Sequence, residues 1–474
     1  MCLLILLGME ADGPGTWARS LASRLTERML DDDFLSSAAG VISRHHWRQR
    51  HRLIMSFEGE PVAKGRLRPD EQIAFQQEVA RQMKASSRLA FRGPLALDVA
   101  FTTQGQNPAI LTNLAKNLLD LLGGPVAGFG GRQRSLLYND DSMVHALSVR
   151  ARHEGPPLAP EQLSEADRAF RELVPAVPST RVVATRLAHY VENLQAGAAA
   201  IRETARSVDE TSESQDAVGE YREMLGEDAR SELDDPLARL DLDLAAQRAQ
   251  QGVLKHSSTS LSALSVLFGA SGVMGFPASM LAPRDLDWLR RSPTRMWLDE
   301  LPTEAGSRKE FRAHVQETVR TFWSKWRWLF GERLRVPVAL EVIVKPPRNA
   351  SQAALHDLDN VVRTYMVGPI VAEMQPPIDH VFGVYPRLLK AGPEWASTMP
   401  HAQALRIPKS VRIGLTRYEA WRIPRQPGDV SPGFVSVGLA PDPAGSASSQ
   451  LRADVAVNDW ANILREQRKD RRGH

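Results

Sequence analysis

His356-Asp357-Leu358-Asp359-Asn360, with Arg363 one helical turn later, is the stretch that decides how this chain is read. Asp357 and Asp359 are two residues apart, so on an extended segment both carboxylates point to one face. Two facing carboxylates repel each other unless a cation lies between them. Mg²⁺ suits such a site, because it prefers hard oxygen ligands and keeps several of its waters; Mn²⁺ accepts the same donors. Asn360 then opens a helix, where its side chain can cap free backbone N–H groups. Arg363 returns toward the same place and can meet a phosphate. Asp379, expected on the neighbouring strand, would be the third carboxylate. The ordinary alternative is that Asp and Asn before a helix serve only as caps.

Working outward, Val336 to Val344 reads as the strand before this stretch, ending at Pro346-Pro347, and Phe311 to Phe330 as a helix carrying Trp323, Trp326 and Trp328. At helical spacing Trp323 and Trp326 are core residues rather than base-stacking ones. Ser410 to Tyr418, with Val411, Ile413 and Leu415 alternating, reads as a final strand. A similar order occurs earlier in the chain. Ile54 to Phe57 is strand-like and leads into a basic turn holding Lys64, Arg66 and Arg68. Gln72 to Lys84 has helical periodicity, and Leu95 to Phe101 alternates as a strand. Asn113 and Lys116 stand at the start of a helix to Leu122 that Gly123-Gly124-Pro125 stops, and Asp140-Asp141 precede a strand from Val144 to Val149. Both Asn-led helices run into a Gly-Pro pair, Gly124-Pro125 and Gly368-Pro369, which suggests an internal duplication.

Residues 54–150 resemble the RusA family of Holliday-junction resolvases. Gly59-x-Pro61-x-x-Lys64-x-Arg66-x-Arg68 is similar to the family's basic N-terminal turn, Asn113-x-x-Lys116-x-x-x-Asp120 to its Asn-led helix, and Asp140-Asp141-x-x-Val144 to its acidic strand. The family's Asp-x-Asp pair falls here on Ile110 and Thr112, which cannot act as anionic ligands, so the resemblance implies that the first half, Asp141 included, is a degenerate domain whose nuclease centre is lost and that the second half does the cutting. Residues 297–419 resemble the family more loosely through Asp357, Asp359, Asn360, Arg363 and Asp379. The resemblance implies an α+β fold of two RusA-like mixed α/β domains joined by a mainly helical spacer. It implies a Mg²⁺- or Mn²⁺-dependent endodeoxyribonuclease acting on branched DNA, with Asp357, Asp359 and Asp379 as metal ligands and Arg363 as the catalytic cation. Lys64, Arg66, Arg68 and Lys116 would grip DNA from the first half. The chain would work as a homodimer or as a single-chain pseudo-dimer. The rival readings are a RusA-like protein that binds branched DNA without cutting it, and an interaction protein whose functional part is the acidic middle region.

Composition sets the remaining bounds. The chain has 474 residues, 43% of them hydrophobic and 24% charged, which is ordinary for a globular protein of two or three domains. A net charge of +3 means that any basic surface is local. The single Cys2 excludes an internal disulfide and a cysteine-based zinc site, and suits a cytoplasmic location. Cys2 to Leu7 is apolar but too short to span a bilayer, so no membrane association is expected. Residues 1–50 read as a leader, partly disordered, and 51–155 as the first domain. Residues 156–290 read as a helical acidic spacer, with Arg181 to Thr204 helical and Glu203 to Asp243 solvated. Residues 291–440 form the second domain and 441–474 a basic tail.

Overall fold

The computed structural model describes residues 52–105, 109–130, 135–153, 177–186, 216, 218–224, 240–254, 294–302, 307–331, 333–348, 357–378, 412–422 and 430–442, with single positions between 461 and 469. The first half contains β1 (Arg52–Glu58), α1 (Pro69–Ala85), β2 (Leu95–Thr103), α2 (Leu111–Leu122), β3 (Val144–His153) and β4 (Ser179–Arg186). The second contains β5 (Arg295–Leu298), α3 (Ser307–Phe330), β6 (Val338–Lys345), α4 (Leu358–Val361), a π-turn (Val362–Met366), α5 (Val367–Met374), β7 (Arg417–Arg422) and β8 (Phe434–Pro441). This is a mixed α/β structure, consistent with the α+β class.

All eight strands belong to one sheet in the order β1-β4-β2-β3-β7-β6-β8-β5. Exchanging each strand of one half for its counterpart in the other reproduces that order reversed. The pairings match as well. β2 runs parallel to β3 as β6 does to β7, β4 is antiparallel to β1 and β2, and β8 is antiparallel to β5 and β6. The halves meet where β3 pairs antiparallel with β7, Ser148 opposite Glu419. In the same register row Asp98 faces Ser148 and Glu341 faces Glu419, so Asp98 corresponds to Glu341 and Ser148 to Glu419. A pseudo-twofold axis therefore passes between β3 and β7, and the duplication inferred from the two Asn-led helices has a structural counterpart.

The middle of the sheet is covered on both faces, since β6 is buried at every position and β2 at most. The expected half-buried alternation is therefore replaced by continuous burial, as in strands packed on both sides. α2 lies in the crossover from β2 to β3, and α4 with α5 in the crossover from β6 to β7. α4 packs against α2, β3 and β7, which brings both crossovers to one face beside the axis. On the opposite face a buried ion pair joins Arg295 to Glu341. Arg295 reaches Glu341 across Gly438 of the intervening strand, where an added Cβ would lie 2.8 Å from the guanidinium. In the first half the corresponding residues are Ile54 and Val183, and Asp98 pairs instead with Arg150 at 3.7 Å.

Several boundaries differ from expectation. Arg181 to Arg186 is not helical; it belongs to β4, where Val182 and Ala184 are buried and β-branched residues suit a central strand. The first half thus extends past residue 155 into the presumed spacer. β7 begins at Arg417 and is central rather than final, and β8 follows it. Gly368-Pro369 does not stop its helix. Pro369 lacks the N–H that would bond to the carbonyl four residues earlier. A π-turn over Val362–Met366 absorbs the irregularity, and the helix continues to Met374. Within the spacer, a helix over residues 240–254, which shares only its first four residues with the stretch expected to be solvated, is docked. Ala245, Ala246, Ala249 and Leu254 are buried, and the Gln250 amide binds the Leu329 and Phe330 carbonyls at 3.3 Å while accepting from Arg335 N–H at 2.8 Å. Trp323 is buried and stacks on Phe330, as expected for a core residue. The leader at 1–50 and most of the acidic stretch lie outside the described residues. No helix among the described residues is long and apolar enough to cross a membrane.

Candidate metal centre

Asp357 is the residue before α4, yet its side chain makes no capping bond to that helix. It accepts instead from Asn360 Nδ2 at 3.0 Å, and Asn360 Oδ1 in turn accepts from Arg363 Nη2 at 3.1 Å. Asn360 therefore orients the Asp357 carboxylate. Asp359, in the first turn of α4, is 3% exposed. Its Oδ2 is buried and has no hydrogen-bond partner; the nearest cation, Lys116 Nζ, stands 3.6 Å away. An ionised oxygen left in this state is costly unless a cation approaches it.

The third carboxylate comes from the other half. Asp140 is spent locally, its side chain accepting from Ser142 N–H at 2.8 Å to cap the short 3₁₀ turn Asp141–Met143. Asp141 points elsewhere, and one ligand oxygen from each of Asp141, Asp357 and Asp359 lies within 4.8 Å of the others. β3 carries Asp141 at its head and pairs with β7 across the axis, so the cluster exists only where both halves meet. Hard oxygen donors alone, with one buried oxygen orphaned, fit Mg²⁺ or Mn²⁺.

Charges around the cluster are coupled. Burial pushes the Asp359 carboxyl up to about 6; Lys116 opposes this, while Asp141 and Asp357 add to it. Asp357 is also raised, by burial and then by Asp141. Burial alone would lower Lys116, but Asp359, Asp120 and Asp141 outweigh it and hold its ammonium well above the usual range. Lys116 lies 2.9 Å from Asp120 and 3.0 Å from Asp141. On the far side, buried Arg422 donates to the Ser142 carbonyl at 2.7 Å and feels Asp357 and Asp140. Tyr138 closes the floor, its hydroxyl donating to the Leu119 carbonyl at 2.8 Å.

The expected site residues divide clearly. Asp357 and Asp359 are together. Asp379 lies outside the described residues, and the third carboxylate brought to the pair is Asp141. Lys116, expected as a DNA contact, sits among the carboxylates with its side chain 10% exposed. Arg363, expected as the catalytic cation, is exposed and tied to Asn360. Lys64, Arg66 and Arg68 are exposed on the basic turn. Lys64 is joined to the site through Asp120 at 2.6 Å, and Arg68 pairs with Glu71 at the start of α1. Arg422 carried no signal in the sequence, because its place depends on how β7 is registered against β3. Asp120 had been legible only as part of the Asn-led helix. No protein-family model, curated protein or solved structure matches the chain.

Proposed function

We propose that this chain is a metal-dependent endodeoxyribonuclease of RusA type that acts on branched DNA such as Holliday junctions. The observation that carries this reading is the convergence of Asp141, Asp357 and Asp359 from two halves, with a buried carboxylate oxygen lacking any hydrogen bond. Asp141, Asp357 and Asp359 would hold Mg²⁺ or Mn²⁺, which supplies an activated water and neutralises charge on the leaving oxygen. Asn360 keeps Asp357 aimed at the cluster. Lys116 places a permanent ammonium beside it, able to stabilise negative charge developing on a phosphoryl oxygen. Asp120 holds Lys116 from behind and links it to Lys64 on the exposed basic turn, where a DNA backbone can approach.

One observation favours a second reading, a protein that binds branched DNA without cutting it. The Lys116 ammonium already bridges Asp120 and Asp141, as a purely structural ion network would. Cleavage of a labelled four-way DNA junction, with Mg²⁺ and with EDTA, separates the two. The nuclease reading expects Mg²⁺-dependent nicking that is lost in Asp359→Asn and equally in Asp141→Asn. Tight junction binding without nicking would establish the second reading.

A further inference from the structure

The pseudo-twofold axis defines an image of the acidic cluster, and the residues there have the opposite character. Ile110 precedes α2 as Asp357 precedes α4, so Ile110 and Thr112 take the places of Asp357 and Asp359. Arg412 stands as far before Glu419 as Asp141 does before Ser148, seven residues by number (419 − 412 and 148 − 141). Arg363 takes the place of Lys116, three residues after the helix-opening Asn in each case (363 − 360 and 116 − 113). All three carboxylate positions are lost, and two of the four image positions carry guanidinium groups.

Ile110 is 62% exposed and Arg363 is exposed, while Arg412 is half-buried and Thr112 is buried. Arg412 is steadied from β3, its Nη1 donating to His153 Nε2 at 3.1 Å, and His153 Nδ1 lies 3.0 Å from the Thr103 hydroxyl. Tyr418 connects the image to the acidic cluster. Its buried hydroxyl has no hydrogen-bond partner and feels both Asp359 and Arg363. A phosphodiester approaching the acidic cluster is repelled unless a metal is present. None of the four image positions carries a carboxylate, and planar guanidinium groups match phosphate geometry.

We propose that the image position is a metal-free seat for a backbone phosphate of a second DNA strand, held by Arg363 and Arg412. One chain then grips two strands and can cut only one. This rests on the nuclease reading for its substrate, but its test does not depend on cleavage.

Two measurements on the full chain decide it. The first is a Mn²⁺ titration followed by the electron paramagnetic resonance of free Mn²⁺, and one ion per chain is expected. The second is four-way-junction affinity in EDTA across a salt series. Losing one phosphate contact in Arg363→Ala/Arg412→Ala should flatten the slope of log K against log salt by about 0.9. Arg363→Lys/Arg412→Lys should restore it. Circular dichroism checks folding, and Arg363→Gln, altering an exposed side chain, replaces the double variant if that does not fold. Two Mn²⁺ per wild-type chain, an unchanged salt slope, or absence of junction binding overturns the seat. Absence of Mn²⁺ binding with the expected change in slope would sink the metal reading and leave the seat standing.

Discussion

The two halves share strand order, crossover helices and register, yet they have divided the chemistry between them. The first half keeps the acidic residue before its inner strand, Asp141, and the lysine of its crossover helix, Lys116. The second keeps the paired carboxylates, Asp357 and Asp359, and has Arg412 where the first has Asp141. Each half alone reads as a damaged copy. The difference teaches that a site built beside a twofold axis, from residues of both halves, is not owned by either half. After fusion, one of two equivalent composite sites can be maintained while the other drifts, because each draws a different subset from each half.

The sharpest way to break this comparison is to remove one carboxylate from each half. Asp141→Asn and Asp359→Asn should each lower Mg²⁺-dependent junction cleavage by at least ~10³-fold, the scale lost when a group acting as part of one unit is removed. Asp140→Ala, which removes the cap of the 3₁₀ turn without touching the three clustered carboxylates, should cost about 1 kcal/mol of stability and leave cleavage within a few-fold. If Asp141→Asn retained activity while Asp359→Asn did not, the centre would belong to the second half alone.

The Asp357/Asp359 pair was legible in the sequence because it is local: two residues of separation at a helix start fix one face. Asp141 was legible as part of an acidic strand but was assigned to a lost centre, since Ile110 and Thr112 occupy the neighbouring positions in its own half. What joins it to Asp359 is the β3–β7 pairing between residues far apart in the chain, which no local pattern encodes. β4 was misread for a related reason. Arg181 and Arg186 flank its apolar residues, and charged residues beside apolar ones also describe a surface helix. The covered sheet makes Val182 and Val183 both buried, which erases the period-two signal.

The halves also differ on the opposite face, where a fully buried Arg295–Glu341 pair in one corresponds to Ile54 and Asp98 in the other. Arg295→Met should cost about 3–5 kcal/mol in chemical denaturation, because Glu341 would be left buried without its partner. Arg150→Met, which removes a more exposed partner from Asp98, should cost about 1 kcal/mol. Gly438→Ala should fall between them, since its methyl group enters the path of Arg295. Equal losses for Arg295→Met and Arg150→Met would mean that the two faces are energetically alike despite their different construction.

A further effect reverses the usual sign and so sharpens the comparison most. In the metal-free protein the Asp359 carboxyl is raised to about 6, chiefly by burial. A carboxyl whose folded pKa lies above its unfolded value favours folding where it is protonated, and that advantage is lost as pH rises through the folded pKa. Metal-free stability should therefore decline between about pH 4 and pH 6 through this group, and Asp359→Asn should remove the decline. At pH 7 Asp359→Asn should be more stable than the wild type by about 1–2 kcal/mol, once partial relaxation around the site is allowed for. Thr112, the corresponding residue of the first half, carries no charge, so the stability difference between Thr112→Val and the wild type should be the same at both pH values. Urea denaturation at pH 4 and pH 7 in EDTA measures both variants. A wild type as stable as Asp359→Asn at pH 7 would mean that Lys116 already neutralises the cluster, which favours the non-cutting DNA binder over the nuclease.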